Sequence, residues 1–212
     1  MVKIRVFILL FIALILVGCS NEGIKNTIQQ KELSSKNQLL LKAAVGEMNY
    51  YYEFIAEKGK FLRIWVERYQ YGKLVEQVGG IGTEMLKDEK GEILIYFLDD
   101  PEWENYYLRT VVLDESGYAV ANGQIAKPNA NLNAGIWSSN LNEKVPLTED
   151  MLLGYMAFFE VDDESSMEIK TTLAEPKEFI EENRDIPDIY LIRASLSDEE
   201  RWEWYNESGE EL

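Results

Sequence analysis

Two short acidic runs and a scatter of tryptophan and tyrosine residues carry most of the chemistry available to this chain of 212 residues, because histidine is absent altogether. Without imidazole the chain lacks the usual general base, the commonest transition-metal ligand and the side chain that changes charge near neutral pH. No Gly-x-Ser-x-Gly elbow and no Ser-x-x-Lys occurs, so no serine has a recognisable activating partner. Gly79-Gly80-Ile81-Gly82 lacks the terminal Lys-Ser or Lys-Thr of a phosphate loop, and these glycines read as a loop or bulge. The first acidic run is Asp99, Asp100 and Glu102; the second is Asp162, Asp163 and Glu164. Calcium is the cofactor such oxygen-rich turns would suit, although neither has the spacing of an EF-hand loop, and solvated turns are the plainer reading. Among the aromatics, Trp65, Trp103 and Trp137 could form a platform for sugar rings or a protein partner, or could fill a core.

The only cysteine, Cys19, closes an apolar run from Val6 to Val17 that follows Lys3 and Arg5. Twelve apolar residues fall short of the roughly 20 that span a bilayer, and they fit a secretory signal instead. The tetrapeptide Leu16-Val17-Gly18-Cys19 resembles the lipobox of bacterial lipoproteins. That resemblance implies loss of residues 1–18, acylation of Cys19, and a lipid-anchored place on the extracytoplasmic face of the cell membrane. It also leaves no free thiol. With no second cysteine, no disulfide can form within the chain, and outside the cell its stability rests on packing.

The chain carries 21 basic and 38 acidic residues, net −17, and loss of Lys3 and Arg5 would make it −19. Such a charge opposes nucleic acid, whose binding depends on neutralising phosphates with Lys and Arg. It opposes adsorption of the domain to anionic lipid as well, so membrane association falls to the acyl anchor. A cationic partner is allowed.

The elements that position these residues are mostly strands. Residues 19–46 read as a polar tether with a short helix at Leu39–Ala44, and residues 47–196 as one antiparallel β-sandwich, Ig-like or similar. Residues 197–212 form an acidic tail, in which Ser197 and Glu200 could also start a helix. Period-2 alternation marks Met48–Phe54 and Phe61–Gln70, with a return strand at Leu74–Val78. Glu92–Leu98, the hairpin Tyr106–Leu113 with Gly117–Ala126, Met151–Val161, Met167–Leu173 and Ile189–Leu196 follow, and Pro176–Arg184 reads as a turn or two of helix. Lys127–Gly135 reads as a polar loop. The run Phe61–Tyr69 followed by Tyr71-Gly72-Lys73-Leu74-Val75 is similar to strands in small Firmicute lipoproteins, a resemblance that carries no activity with it.

These features lead to a membrane-anchored, non-enzymatic binding or accessory module, with an envelope protein or cell-wall component as partner. A carboxylate-dependent envelope enzyme, such as a glycan hydrolase with two acids across a cleft, is the alternative. The anchor is directly testable. Cys19→Ala is expected to move the protein from the membrane fraction to the culture medium in detergent phase partitioning, and an unchanged membrane fraction would contradict the lipobox reading.

Overall fold

Alternation of buried and partly exposed residues runs unbroken along β2 (Asn49–Ala56), which places Tyr50, Tyr52, Phe54 and Ala56 on one face. That is what a strand with one face on a core requires. The computed structural model describes residues 26–200 apart from 86, 88, 100, 101, 103, 116, 142, 162–168 and 171–174. It is mainly β, with two antiparallel sheets packed as a sandwich.

The remaining strands are β1 (Thr27–Gln30), β3 (Phe61–Gln70), β4 (Lys73–Glu84), β5 (Glu89–Leu98), β6 (Asn105–Asp114), β7 (Gly117–Ala126), β8 (Ala134–Ser139), β9 (Val145–Pro146), β10 (Met151–Phe159) and β11 (Asp188–Ser197). The helices are α1 (Ser35–Val45) and α2 (Pro176–Glu182). One sheet has the order β7-β6-β5-β2-β1-β9 and the other β4-β3-β11-β10-β8. The hairpin between β6 and β7 pairs Asp114 with Gly117, where the Asp114 carboxylate accepts the Gly117 N–H at 3.0 Å. Gly117 has φ 155°, and Gly72 in the β3–β4 turn has φ 75°, conformations that a side chain disfavours.

The main core lies between the sheets and includes Tyr52, Leu62, Ile64, Ile93, Phe97, Leu108, Met156 and Tyr190. A second apolar cluster covers the outer face of the β10–β11 pair, where Phe179 and Ile180 of α2 meet Tyr155, Ile189 and Leu191. Helix α2 begins with Pro176 at its first turn, and the buried Asn183 closes it, donating to the Phe179 and Lys170 carbonyls. This second cluster explains why β10 is buried at eight consecutive positions rather than alternately.

Two hydroxyls tie the sheets together at one margin. Tyr50 and Tyr52 of β2 reach across the sandwich and donate to the Tyr155 and Leu153 carbonyls of β10, each at 2.7 Å. The Tyr50 ring lies where a side chain at residue 154 would be, so that position is glycine.

Three expectations are corrected. The tether does not extend to residue 46: Thr27–Gln30 is a strand of the first sheet, paired with β2 and β9, and Ile28 is buried in the core. The short helix is Ser35–Val45, capped by the Ser34 hydroxyl. The polar loop ends at Asn133, and the following Ala134–Ser139 is an edge strand. The expected strand at 167–173 and the tail beyond residue 200 lie outside the described residues, Ile169 and Lys170 excepted.

A Cβ at Gly154 would stand 2.7 Å from the Tyr50 ring and 2.9 Å from the Ser138 carbonyl oxygen. Gly154→Ala is therefore expected to lower stability by about 1–3 kcal/mol, the usual cost of overpacking. Chemical denaturation reads this out, and an unchanged midpoint would show that the ring moves aside at no cost.

Candidate functional site

Apolar strands that end in aromatic residues leave a ring-lined opening at one end of the sandwich. Phe97 is the next-to-last residue of β5, Tyr106 the second of β6 and Phe158 the next-to-last of β10, so three rings meet at this end. Tyr106 lies edge-on to Phe97 at 6.3 Å and to Tyr190 at 6.1 Å, and Phe158 lies edge-on to Tyr190 at 5.6 Å. Edge-on contact directs ring hydrogens at neighbouring ring faces and stiffens the wall. Above these rings is a cleft of about 540 Å³, lined also by Met48, Trp137 and Val45, with Glu47 and Asp99 contributing carboxylates.

Trp137 of β8 separates this cleft from a groove of about 380 Å³ that runs between β8 and helix α1 over Tyr50 and Tyr51. The indole is 42% exposed. Helix α1 has no buried residue; only Leu41 and Val45, one turn apart, are half-buried, while Leu39 and Leu40 face solvent. Such a helix gains little from tertiary packing, and its own propensity is marginal at 11 residues.

Charges at the opening are paired. Lys127 bonds Asp99 at 2.6 Å, and its ammonium stands 5.6 Å from the Tyr106 ring centre. Lys42 bonds Glu47 at 2.7 Å. Behind the rings, Arg68 grips Asp188 through two bonds of 2.9 and 2.6 Å and donates to the Lys127 carbonyl at 3.1 Å. Burial opposes the Arg68 charge, but Asp188, Tyr190 and Glu76 outweigh it and raise its pKa. The Tyr190 hydroxyl donates to the Ala126 carbonyl at 2.6 Å, so this corner joins β3 and β11 to the end of β7. On the outer face of the same sheet, Glu67 accepts from Trp65, Tyr69 and Arg193, and Arg193 also pairs with Asp150. Among the described residues, the carboxylates of Asp99, Glu47, Asp188 and Glu67 are each met by donors, an arrangement that holds the shape of this end.

The candidates read from sequence separate accordingly. Trp137 and Asp99 line one cleft. Trp65 is 6% exposed, with the Arg63 and Arg193 guanidinium carbons 4.5 and 5.0 Å from its ring, which removes it as a ligand platform. Glu102 is exposed near the opening without lining it. Cys19, Trp103, Asp100, Asp162, Asp163 and Glu164 lie outside the described residues. Among the described residues no three acidic or cysteine side chains converge as a metal ion would need. The sequence reading missed Met48, Phe97 and Phe158 as cleft walls and the Arg68–Asp188 pair. Aromatic residues at the ends of strands were the available signal for the walls. Nothing in spacing foretold the ion pair, whose members are 120 residues apart.

Residues 27–196 match the family model described as the YgaN domain. No curated protein and no solved structure matches the chain.

The buried phenols give the sandwich an alkaline limit. Burial pushes Tyr106 up to about 12, with Asp99 and Asp188 adding and Arg68 opposing. Tyr50, Tyr52, Tyr69 and Tyr190 are also raised, burial again being the main cause. These groups stay neutral in the fold where the unfolded chain would ionise near 10. Their contribution is complete below pH 10 and is lost as the pH rises through 10 towards 12 and above. The melting temperature is expected to fall progressively above about pH 10; a flat profile to pH 11.5 would contradict the burial of these hydroxyls.

Proposed function

The chain belongs to the YgaN domain family, and we propose that it is an extracytoplasmic lipoprotein that works as a non-enzymatic binding module through the ring-lined cleft. The single observation that supports this reading most is the placement of the cleft relative to the chain entry. Thr27 pairs with Ile55 at one end of β2, whereas Met48 and Asn49 stand at its other end beside the cleft. An eight-residue strand separates the two by about 24 Å. With Cys19 in the membrane, only residues 20–26 link lipid to sandwich, a reach of at most about 25 Å. The entry end is then held close to the headgroups and the cleft opens towards the outside.

Two or three acyl chains, at about 0.8 kcal/mol per buried methylene, make such an anchor stable. The cleft has the composition of a binding site, with apolar and aromatic walls and a few polar groups at the rim. The absence of histidine and the pairing of the two described cleft carboxylates, Glu47 and Asp99, with lysines favour binding over catalysis.

A photo-crosslinking amino acid at position 137, compared in living cells with one at the exposed Lys58 near the entry end, tests the reading. Specific adducts are expected from 137 and not from 58, and they are expected to disappear when Cys19→Ala releases the protein. Equal adducts at both positions, or none at 137, would overturn it.

A further inference from the structure

The four sheet margins are not equivalent. β4 and β7 close against each other: a Cβ at Gly123 of β7 would stand 2.8 Å from Val78 of β4, and the Ala126 N–H donates to Glu76 at 3.3 Å. β9 is two residues long and ends in proline, a short edge of the kind that resists pairing. β8 differs. It pairs on one side only, with β10, and its sequence Ala134-Gly135-Ile136-Trp137-Ser138-Ser139 holds no charge, no proline and no bulge. The Asn140 N–H bonds the Leu153 carbonyl at 2.8 Å, which sets the phase of the ladder. Ile136 and Ser138 then bond inwards to β10, while the backbone groups of Gly135, Trp137 and Ser139 point outwards. Ile136 and Trp137 are 39% and 42% exposed. The groove beneath α1 runs along this edge, and the cleft opens at Trp137.

We propose that this edge receives an extended peptide segment of a partner, which adds as a strand to β8 and sets an apolar or aromatic side chain into the cleft beside Trp137. The inference rests on the binding reading above and specifies its ligand. Backbone bonds to the edge would supply affinity, and the cleft would select the side chain, the two ingredients of strand addition. Charge chooses among occupants. A molecule of net −17 repels a second copy of itself and acidic segments alike, and attracts segments with lysine or arginine flanking the apolar residue. Close to the groove Lys31 and Lys42 are already paired, with Glu92 and Glu47, so the local field does not reverse this preference.

The test uses the lipid-anchored protein, purified from membranes and reconstituted in phosphatidylcholine vesicles, titrated with the synthetic heptapeptide Lys-Val-Lys-Phe-Lys-Val-Lys and followed by calorimetry. Saturable binding is expected, weakened at least tenfold by N-methylation of alternate backbone nitrogens, by glutamate in place of lysine, and by Trp137→Ala. The Trp137→Ala protein is first shown to melt as the parent does. Equal binding of the N-methylated or the glutamate peptide would overturn strand addition or the charge preference respectively. A β8-dependent dimer in sedimentation would assign the edge to a second copy and overturn the partner. Absence of heptapeptide binding, with adducts still formed at position 137 in cells, would overturn the peptide inference and leave the binding module standing.

Discussion

Two hydroxyl bonds across the sandwich, from Tyr50 and Tyr52 to the backbone carbonyls of Tyr155 and Leu153, set the geometry on which the open end depends. A chain with one cysteine has no disulfide to fix the spacing of its sheets. Apolar burial supplies most of the stabilisation, at about 25 cal/mol per Å², but it is non-directional and would be satisfied by closer collapse. The tyrosines add only about 0.5–1.5 kcal/mol each, yet each demands a particular distance. On the far side, the Arg68–Asp188 pair and the Tyr190 hydroxyl do the same for β3, β11 and the end of β7. Loss of one partner of a buried pair costs about 3–5 kcal/mol, so this corner is held firmly even though the pair contributes little net stability.

Between those two ties the sheets cannot close, and the rings of Phe97, Tyr106 and Phe158 line what is left. At the same margin β8 is the outer strand of its own sheet, paired with β10 alone. Cleft, groove and unpaired edge thus adjoin one another at Trp137. Helix α1 forms the far wall of the groove and cleft through Leu41 and Val45, its two half-buried residues, and leaves the β8 edge itself open.

Where the physics was local, the sequence showed it. Phe61–Gln70 is a strand with the bounds expected, and the β6–β7 hairpin turns at the expected Asp114–Gly117, because alternation and turn chemistry act over a few residues. Of the two roles the sequence leaves open for Trp65, platform or core, the fold selects burial, under the guanidinium groups of Arg63 and Arg193, which lie across two strands and leave no trace in local spacing. Thr27–Gln30 reads as tether because a single apolar residue, Ile28, beside two glutamines shows no periodicity; its strand character comes from pairing with β2 and β9. Ala134–Ser139 was missed for a related reason, being an edge strand with mostly exposed side chains. Asp99 and Trp137 were both singled out, but only the fold places them on one cleft.

The account holds that the β8 margin of the sandwich is open. Residue-resolved amide exchange on the free protein tests this most directly. Gly135, Trp137 and Ser139 are expected to exchange at least about 100-fold faster than Ile136 and Ser138, since only the latter two bond to β10. Equal, high protection along all of Ala134–Ser139 would show that the edge is already covered, and the account would fall with it.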